Sequence, residues 1–325
     1  MDLVSSLFTS LSSPMVLAFL LGIFATVIKS DMKFPDGFYV SLTIFLLFGI
    51  GLKGGVKLSQ ATLAEFWKPG LGAIVICCLI PLWSYFILHK IGKFDAINAA
   101  ALAAHFGSVS AVTFSEATAF MELVKEPFEG YMPSMLAIME VPAIVIALFL
   151  AKTSSQSKGE KTNWGKILHE LFTGKGTVLL VGGIIIGMIT GKKGYEQVQP
   201  LFDAPFRGVL TLFLLEVGMV TGRRLGDLLK AGPFLIGFGI IMPFVHAVIG
   251  IYIGYYTGLS LGGATLLGVL CASASYIAAP AAVRIALPEA SPTYYLTAAL
   301  AITFPFNVTV GLPTYYTIAK SVFAN

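Results

Sequence analysis

The stretch CASASYIAAPAAVR, Cys271 to Arg284, lies inside one of the most hydrophobic parts of the chain, yet its centre is small and polar. Serines, alanines and a tyrosine precede Pro280 where a lipid-facing helix would carry bulky aliphatic residues. Backbone amides freed by a helix break find no water in hydrocarbon. Non-helical backbone therefore survives at membrane depth only where protein or a water-filled cavity surrounds it. The stretch reads as a helix broken near the midplane. Pro280 falls in the first turn of the new half-helix, where its missing N–H costs nothing. The free N–H groups of that half-helix carry roughly +0.5 of a charge and, beside serine hydroxyls, suit a small anion.

The surroundings demand a membrane. The chain has 325 residues, 56% of them hydrophobic and only 12% charged. A soluble domain of this length needs more charge to cover its surface, and apolar runs long enough to cross a bilayer recur throughout. The N-terminal apolar run lacks a basic segment before it and reads as a first membrane helix rather than a cleaved signal. The net charge of +4 does not suggest nucleic acid, because the basic residues are scattered over loops. Cys77, Cys78 and Cys271 all lie in apolar helices without metal-ligand or disulfide spacing, and read as packing residues. No hydrolase elbow, zinc motif or nucleotide loop is present, so enzymatic catalysis is not expected and no cofactor is implied.

Hydropathy and Gly, Pro and charge punctuation divide the chain into roughly ten spans. The first five fall near 14–30, 38–56, 70–91, 95–124 and 131–152. The second five fall near 176–191, 201–221, 233–256, 260–287 and 292–320. Residues 153–175 form a polar linker with an amphipathic stretch, Trp164 to Phe172, expected to lie at the membrane interface. The Lys and Arg distribution favours both termini outside an inner or plasma membrane and the linker in the cytoplasm.

The two halves, 1–152 and 176–325, resemble each other. GLKGG (51–55) answers GMVTG (218–222), and LIPLW (79–83) answers IMPFV (241–245). GSVSAV (107–112) answers ASASYI (272–277), and MEVPAIV (139–145) answers TFPFNVTV (303–310). With five spans in each half, the second copy enters from the opposite face, as in the inverted repeats of secondary transporters. The fold expected is all-α and polytopic, with broken fourth helices in both repeats meeting to form one polar site. Small residues alone also serve close helix packing, which remains the better reading of GLKGG and GMVTG. Charged residues at a helix centre cost about 2.5–3.5 kcal/mol on insertion scales, so those near membrane depth should face a cavity or a partner. These are Glu116, Glu140, Glu216, Arg207 and Arg284, with His105 and His246. Glu116 and Arg284 follow the two breaks and are candidates to pair with each other or to bear on ion coupling. His105 precedes the first break and could line the site, whereas His246 reads as a packing histidine.

HFGSVSAVTF (105–114), IMEVPAIV (138–145), LFDAPFRGVLTLFLLEVGM (201–219) and the run from Ala272 to Asn307 resemble the sodium-dependent bicarbonate transporter family, which includes the cyanobacterial SbtA permeases. That resemblance implies ten helices in two inverted five-helix repeats, divided into core and gate domains with elevator-type alternating access. It also implies a homotrimer, a possible cytoplasmic PII-like regulator, and bicarbonate with sodium between the broken helices. Carried over, the substrate site comprises Phe106, Gly107, Ser108, Val109, Ser110 and Thr113 from the first repeat. Ser273, Ala274, Ser275 and Tyr276 come from the second, with sodium near Ser273, Ser275 and Tyr276. The family writes an aspartate in a motif of the form SSSDISGP, where this chain has SASYIAAP with Tyr276 in that place. A neutral tyrosine supplies less to a hard cation than a carboxylate does. Glu140 and Glu116 are the carboxylates left to bind a cation or a proton. The expected function is secondary active import of a small anion, bicarbonate first, coupled to sodium. The alternatives are a proton-coupled or uncoupled permease for a small organic anion, and a membrane receptor that binds without transporting.

Overall fold

A computed structural model of the chain describes residues 3–35, 37–154 and 164–324, and every described element is a helix. In order they are α1 (Leu3–Leu11), α2 (Pro14–Val27), α3 (Phe38–Leu58), α4 (Leu63–Ile91), α5 (Ala96–Gly107), α6 (Ala111–Leu123), α7 (Met132–Glu140) and α8 (Pro142–Ser154). There follow α9 (Trp164–Thr173), α10 (Lys175–Phe202), α11 (Ala204–Arg224), α12 (Leu228–Thr257), α13 (Leu261–Ala272), α14 (Ala278–Ala286) and α15 (Pro292–Ala324).

Seven described stretches are long and apolar enough to cross a membrane, or eight if the bent α1–α2 pair counts as one. One of the seven, Ala204–Thr257, is 54 residues long and contains both α11 and α12, while α13 is a shorter apolar helix. Large apolar side chains such as Leu17, Leu21, Phe24, Ile185 and Ile189 face outward. They offer lipid the surface that a soluble protein would cover with charge. The chain is a multi-pass membrane protein.

Local chemistry sets the ends. Thr62 and Glu65 form a reciprocal capping box that starts α4 earlier than hydropathy suggests. Asp95 caps α5 at Asn98, and Ser260 caps α13 at Gly263. Sequence reading ended the sixth span at 191, but α10 bends there at Gly191 (φ 58°) and runs on to Phe202. The span expected at 131–152 is divided in two. Pro142 has no N–H to donate into the preceding turn, and α7 stops at Glu140.

Glycine decides the closest packing. A side chain at Gly51 would meet the backbone of Leu180 and Gly183, and one at Gly55 the backbone of Ile184. The contacts advance together along both helices, so α3 and α10 run parallel. Gly22 and Gly218 make the same backbone approach between α2 and α11. Such contact is the membrane's substitute for a hydrophobic driving force between helices. It bears out close packing as the use of GLKGG and GMVTG. Elsewhere α5 packs on α4 and α8, and α13 packs on α12 and α15.

The amphipathic stretch forms α9, but its apolar face is held by protein. Ile167 and Leu171 are buried with Ile144 and Leu148 of α8 and Ala279 and Ala282 of α14, leaving Leu168 and Phe172 exposed. Most of the polar part of the linker, 155–163, lies outside the described residues.

Candidate functional site

Two apolar segments are each broken into a pair of helices. Helix α5 ends at Gly107 and α6 begins at Ala111, and α13 ends at Ala272 and α14 begins at Ala278. The second residue of each break, Val109 or Ala274, is buried, and the serines around it satisfy the freed backbone. Ser110 caps α6 by accepting from Thr113 N at 3.2 Å, and Ser275 accepts from Ala279 N at 3.2 Å. Pro280 sits in the first turn of α14, as the sequence suggests.

The breaks are also bonded to each other. Ser110 N donates to Ser273 Oγ at 2.9 Å, and Ser273 Oγ in turn donates to Leu270 O at 2.8 Å. Ser275 N donates to the carbonyl oxygen of His105 at 2.8 Å. Two further bonds tie the breaks to α7 and α15. Ser108 Oγ donates to the carbonyl of Glu140, which the α7 break leaves free, at 2.9 Å. Asn307 Nδ2 donates to Ala272 O at 2.9 Å, while Asn307 Oδ1 accepts from Tyr315 at 2.8 Å.

Between the breaks lies a cavity of about 10 Å³, lined by Leu47, Val109, Ser110, Glu140, Ser275 and Tyr276 among others. That is room for about one water-sized particle. Two polar atoms of its lining, Glu140 Oε2 and the Tyr276 hydroxyl, are shut from solvent and have no hydrogen-bond partner. Tyr276 is packed edge-on against Phe304 and lies near Ser110 without a normal hydrogen bond to it. The Glu140 carboxylate lies within reach of the Thr177 hydroxyl on α10.

Not every sequence-picked residue reaches this cavity. Phe106 is fully buried and packs edge-to-face on Phe238 of α12 at 4.9 Å. Gly107 is in place because a side chain there would meet Ala143 and Pro81. Glu116 and Arg284 do not pair: Glu116 is 2% exposed with Oε2 unpartnered, whereas Arg284 is exposed. Helix α6 leaves its break against α13 and α11, while α14 leaves against α8, α5 and α9. Arg207 instead pairs with Glu122 at 2.5 Å, and Lys53 with Asp203 at 2.6 Å. His105 donates Nδ1–H to Ala101 O and stacks on Tyr295, contributing only its carbonyl to the second break. His246 accepts from Trp83 Nε1 at 2.8 Å, a packing role. Glu216 is half-buried with Oε2 unpartnered. Asn307 and Leu47 were not singled out by sequence, because a lone Asn or Leu in an apolar span carries no signature.

Two larger cavities flank the small one. One of about 340 Å³ is walled by α9, by Gly174–Thr177 at the start of α10, and by α14. It shares Ile277 and Ala278 with the small cavity. The other, about 270 Å³, lies further along α3 at Ile50, Lys53 and Lys57, against Phe114, Ser115 and Arg207, and shares no lining residue with it.

The family model of the Na+-dependent bicarbonate transporter superfamily matches residues 14–320, nearly the whole chain. No curated protein matches the chain in sequence.

Proposed function

The chain belongs to the Na+-dependent bicarbonate transporter superfamily, and from that premise we propose that it imports bicarbonate together with sodium, by alternating access to the cavity between the two broken helices. The observation that carries the proposal is the pair of breaks held together by Ser110–Ser273 and Ser275–His105. Two half-helix N-termini meet at a cavity lined by Ser110 and Ser275, where an anion gains from the helix dipoles and a cation from hydroxyl and carboxylate oxygens. Cation and anion bound together balance charge that either alone would leave exposed at low dielectric.

Ten spans in two inverted repeats account for the packing. Counterparts by sequence trade partners: α2 lies along α11 as α3 lies along α10, and α5 meets α4 and α8 as α13 meets α12 and α15. On this reading α2, α3, α10 and α11 form the gate against which the remaining spans slide as the core. The cavity beside α9 is then the cytoplasmic route, reaching the site at Ile277 and Ala278, and the cavity at Lys53 is the closed external approach. Assembly as a homotrimer, control by a PII-like protein and the outside placement of both termini belong to the same proposal.

Proteoliposome uptake of labelled bicarbonate, with and without an inward sodium gradient, is the test. Accumulation that requires the sodium gradient supports the proposal. Accumulation driven by a pH gradient without sodium would favour the proton-coupled alternative, and saturable binding without flux a receptor.

A further inference from the structure

We infer that Asn307 is a positioning residue for transport: by holding the carbonyl of Ala272 it fixes where α13 ends, and with it where Ser273 and Ser275 stand. The inference rests on the proposed function in taking the joined breaks as the transport site.

The first argument is the pair of bonds that Asn307 makes. The residue is 1% exposed inside an apolar span, where an unmet amide is costly. Both ends of its amide are engaged. Nδ2 donates to Ala272 O at 2.9 Å, and Oδ1 accepts from the Tyr315 hydroxyl at 2.8 Å. The orientation follows from the partners. A carbonyl oxygen can only accept, so it meets the amide nitrogen, and the tyrosine is left to donate to the amide oxygen.

The second is the room the helix leaves for them. Asn307 opens a π-helical turn, Asn307–Gly311, of a kind that recurs at functional sites. Helix side chains lean towards the N-terminus, and residues four apart share a face, so Tyr315 reaches back over Gly311 to Asn307. A side chain at Gly311 would stand 3.0 Å from both Asn307 Oδ1 and the Tyr315 hydroxyl oxygen. The glycine thus clears the space in which the two meet.

The third is where the relay ends. Ala272 is the last residue of α13, and the final carbonyls of a helix have no partner within it. Ala272 is fully buried, so its carbonyl needs a partner from another helix, and Asn307 is that partner. The next residue, Ser273, carries the hydroxyl bonded to Ser110 N, and Ser275 N donates to His105 O. Asn307 itself does not line the small cavity. It acts on the site through Ala272.

The test uses the purified full-length protein and two readouts. Hydrogen–deuterium exchange in bicarbonate-free nanodiscs follows a peptide covering residues 271–279. Uptake of labelled bicarbonate into proteoliposomes under a sodium gradient gives KM and Vmax. Asn307→Leu removes the donor at nearly constant size. It should speed exchange at residues 273–279 by about tenfold or more and raise KM by a similar factor. Asn307→Gln keeps an amide and should restore part of both. Tyr315→Phe leaves Asn307 in place but frees its amide to turn. It should move both readouts the same way by about threefold, and decides the matter if Asn307→Leu does not fold. Tyr316→Phe removes a hydroxyl of the same helix that bonds Glu126 instead, and should change neither. A residue that only packed α15 on α13 would lower Vmax, through fewer folded transporters, and leave KM alone. That result, or exchange within twofold of wild type in the Asn307→Leu and Tyr315→Phe proteins, would overturn the inference. If wild type takes up no bicarbonate, the transport reading fails, and the exchange result alone decides whether Asn307 positions the break.

Discussion

Ser273→Ala tests whether the two breaks are held by each other. In the native protein Ser273 Oγ accepts from Ser110 N at 2.9 Å and donates to Leu270 O at 2.8 Å, with Ser273 1% and Ser110 4% exposed. Alanine removes the acceptor and leaves the Ser110 N–H buried at the entrance to α6 with no partner. An orphaned buried donor costs about 1–3 kcal/mol, because its desolvation is no longer offset. Tenfold in an equilibrium corresponds to about 1.4 kcal/mol, so local opening of the first break should become roughly 5- to 140-fold more frequent. Hydrogen–deuterium exchange on a peptide covering the breaks reads this directly, since protected amides exchange in proportion to opening. Faster exchange is expected at residues 107–113, with the α3 amides unchanged. An exchange rate within twofold of wild type at Ser110 would refute the bond as the link between the halves.

Two perturbations away from the breaks follow from the packing and the charges. Gly55→Val would drive a side chain into the Ile184 backbone and should destabilise by about 1–3 kcal/mol or more. Thermal unfolding in detergent checks it, and an unaltered midpoint would mean that α3 and α10 are not in backbone contact. At Asp203, burial pushes the carboxyl up, but hydrogen bonds from Lys53 and Tyr195 and the Lys53 charge outweigh it and hold it below the ordinary carboxylate range. A lowered carboxyl stabilises the fold above its unfolded value and loses that contribution as pH falls through the folded one. Asp203→Asn should therefore be slightly less stable than wild type near neutrality. The gap should begin to narrow below about pH 4 and close only once pH falls below the lowered native value. The side chain is 37% exposed, so the difference is expected to be small. A gap that persists at low pH would assign the loss to something other than charge.

How much of this was legible depends on whether a residue leaves a local mark. The broken helices were, because serines and Pro280 inside apolar runs violate the pattern of a lipid-facing helix, and so were the glycine seams at Gly51, Gly55 and Gly218. The break at Glu140 was not read as one, since a single proline in a span also fits an unbroken, kinked helix. The Glu116–Arg284 pairing failed for a geometric reason. Equal sequence distance from two breaks does not bring residues together when α6 and α14 depart along different neighbours. Asn307 lay outside reach for another reason. Its value comes from standing beside Ala272, which is 35 residues away in sequence. The fit of Glu140 with Tyr276 is of the same kind, a consequence of which faces meet and not of spacing.

The glycine seams also bear on how the chain is made. Each seam joins a helix of the first half to a helix of the second: α2 to α11, and α3 to α10. Synthesis delivers the first half earlier, so α2 and α3 must wait in the bilayer with their glycine faces against lipid until their partners emerge. The two hydrogen bonds between the breaks must wait as well. Insertion of the early helices is thus a separate event from folding, and the joined pair of breaks comes into being only when α13 and α14 have emerged.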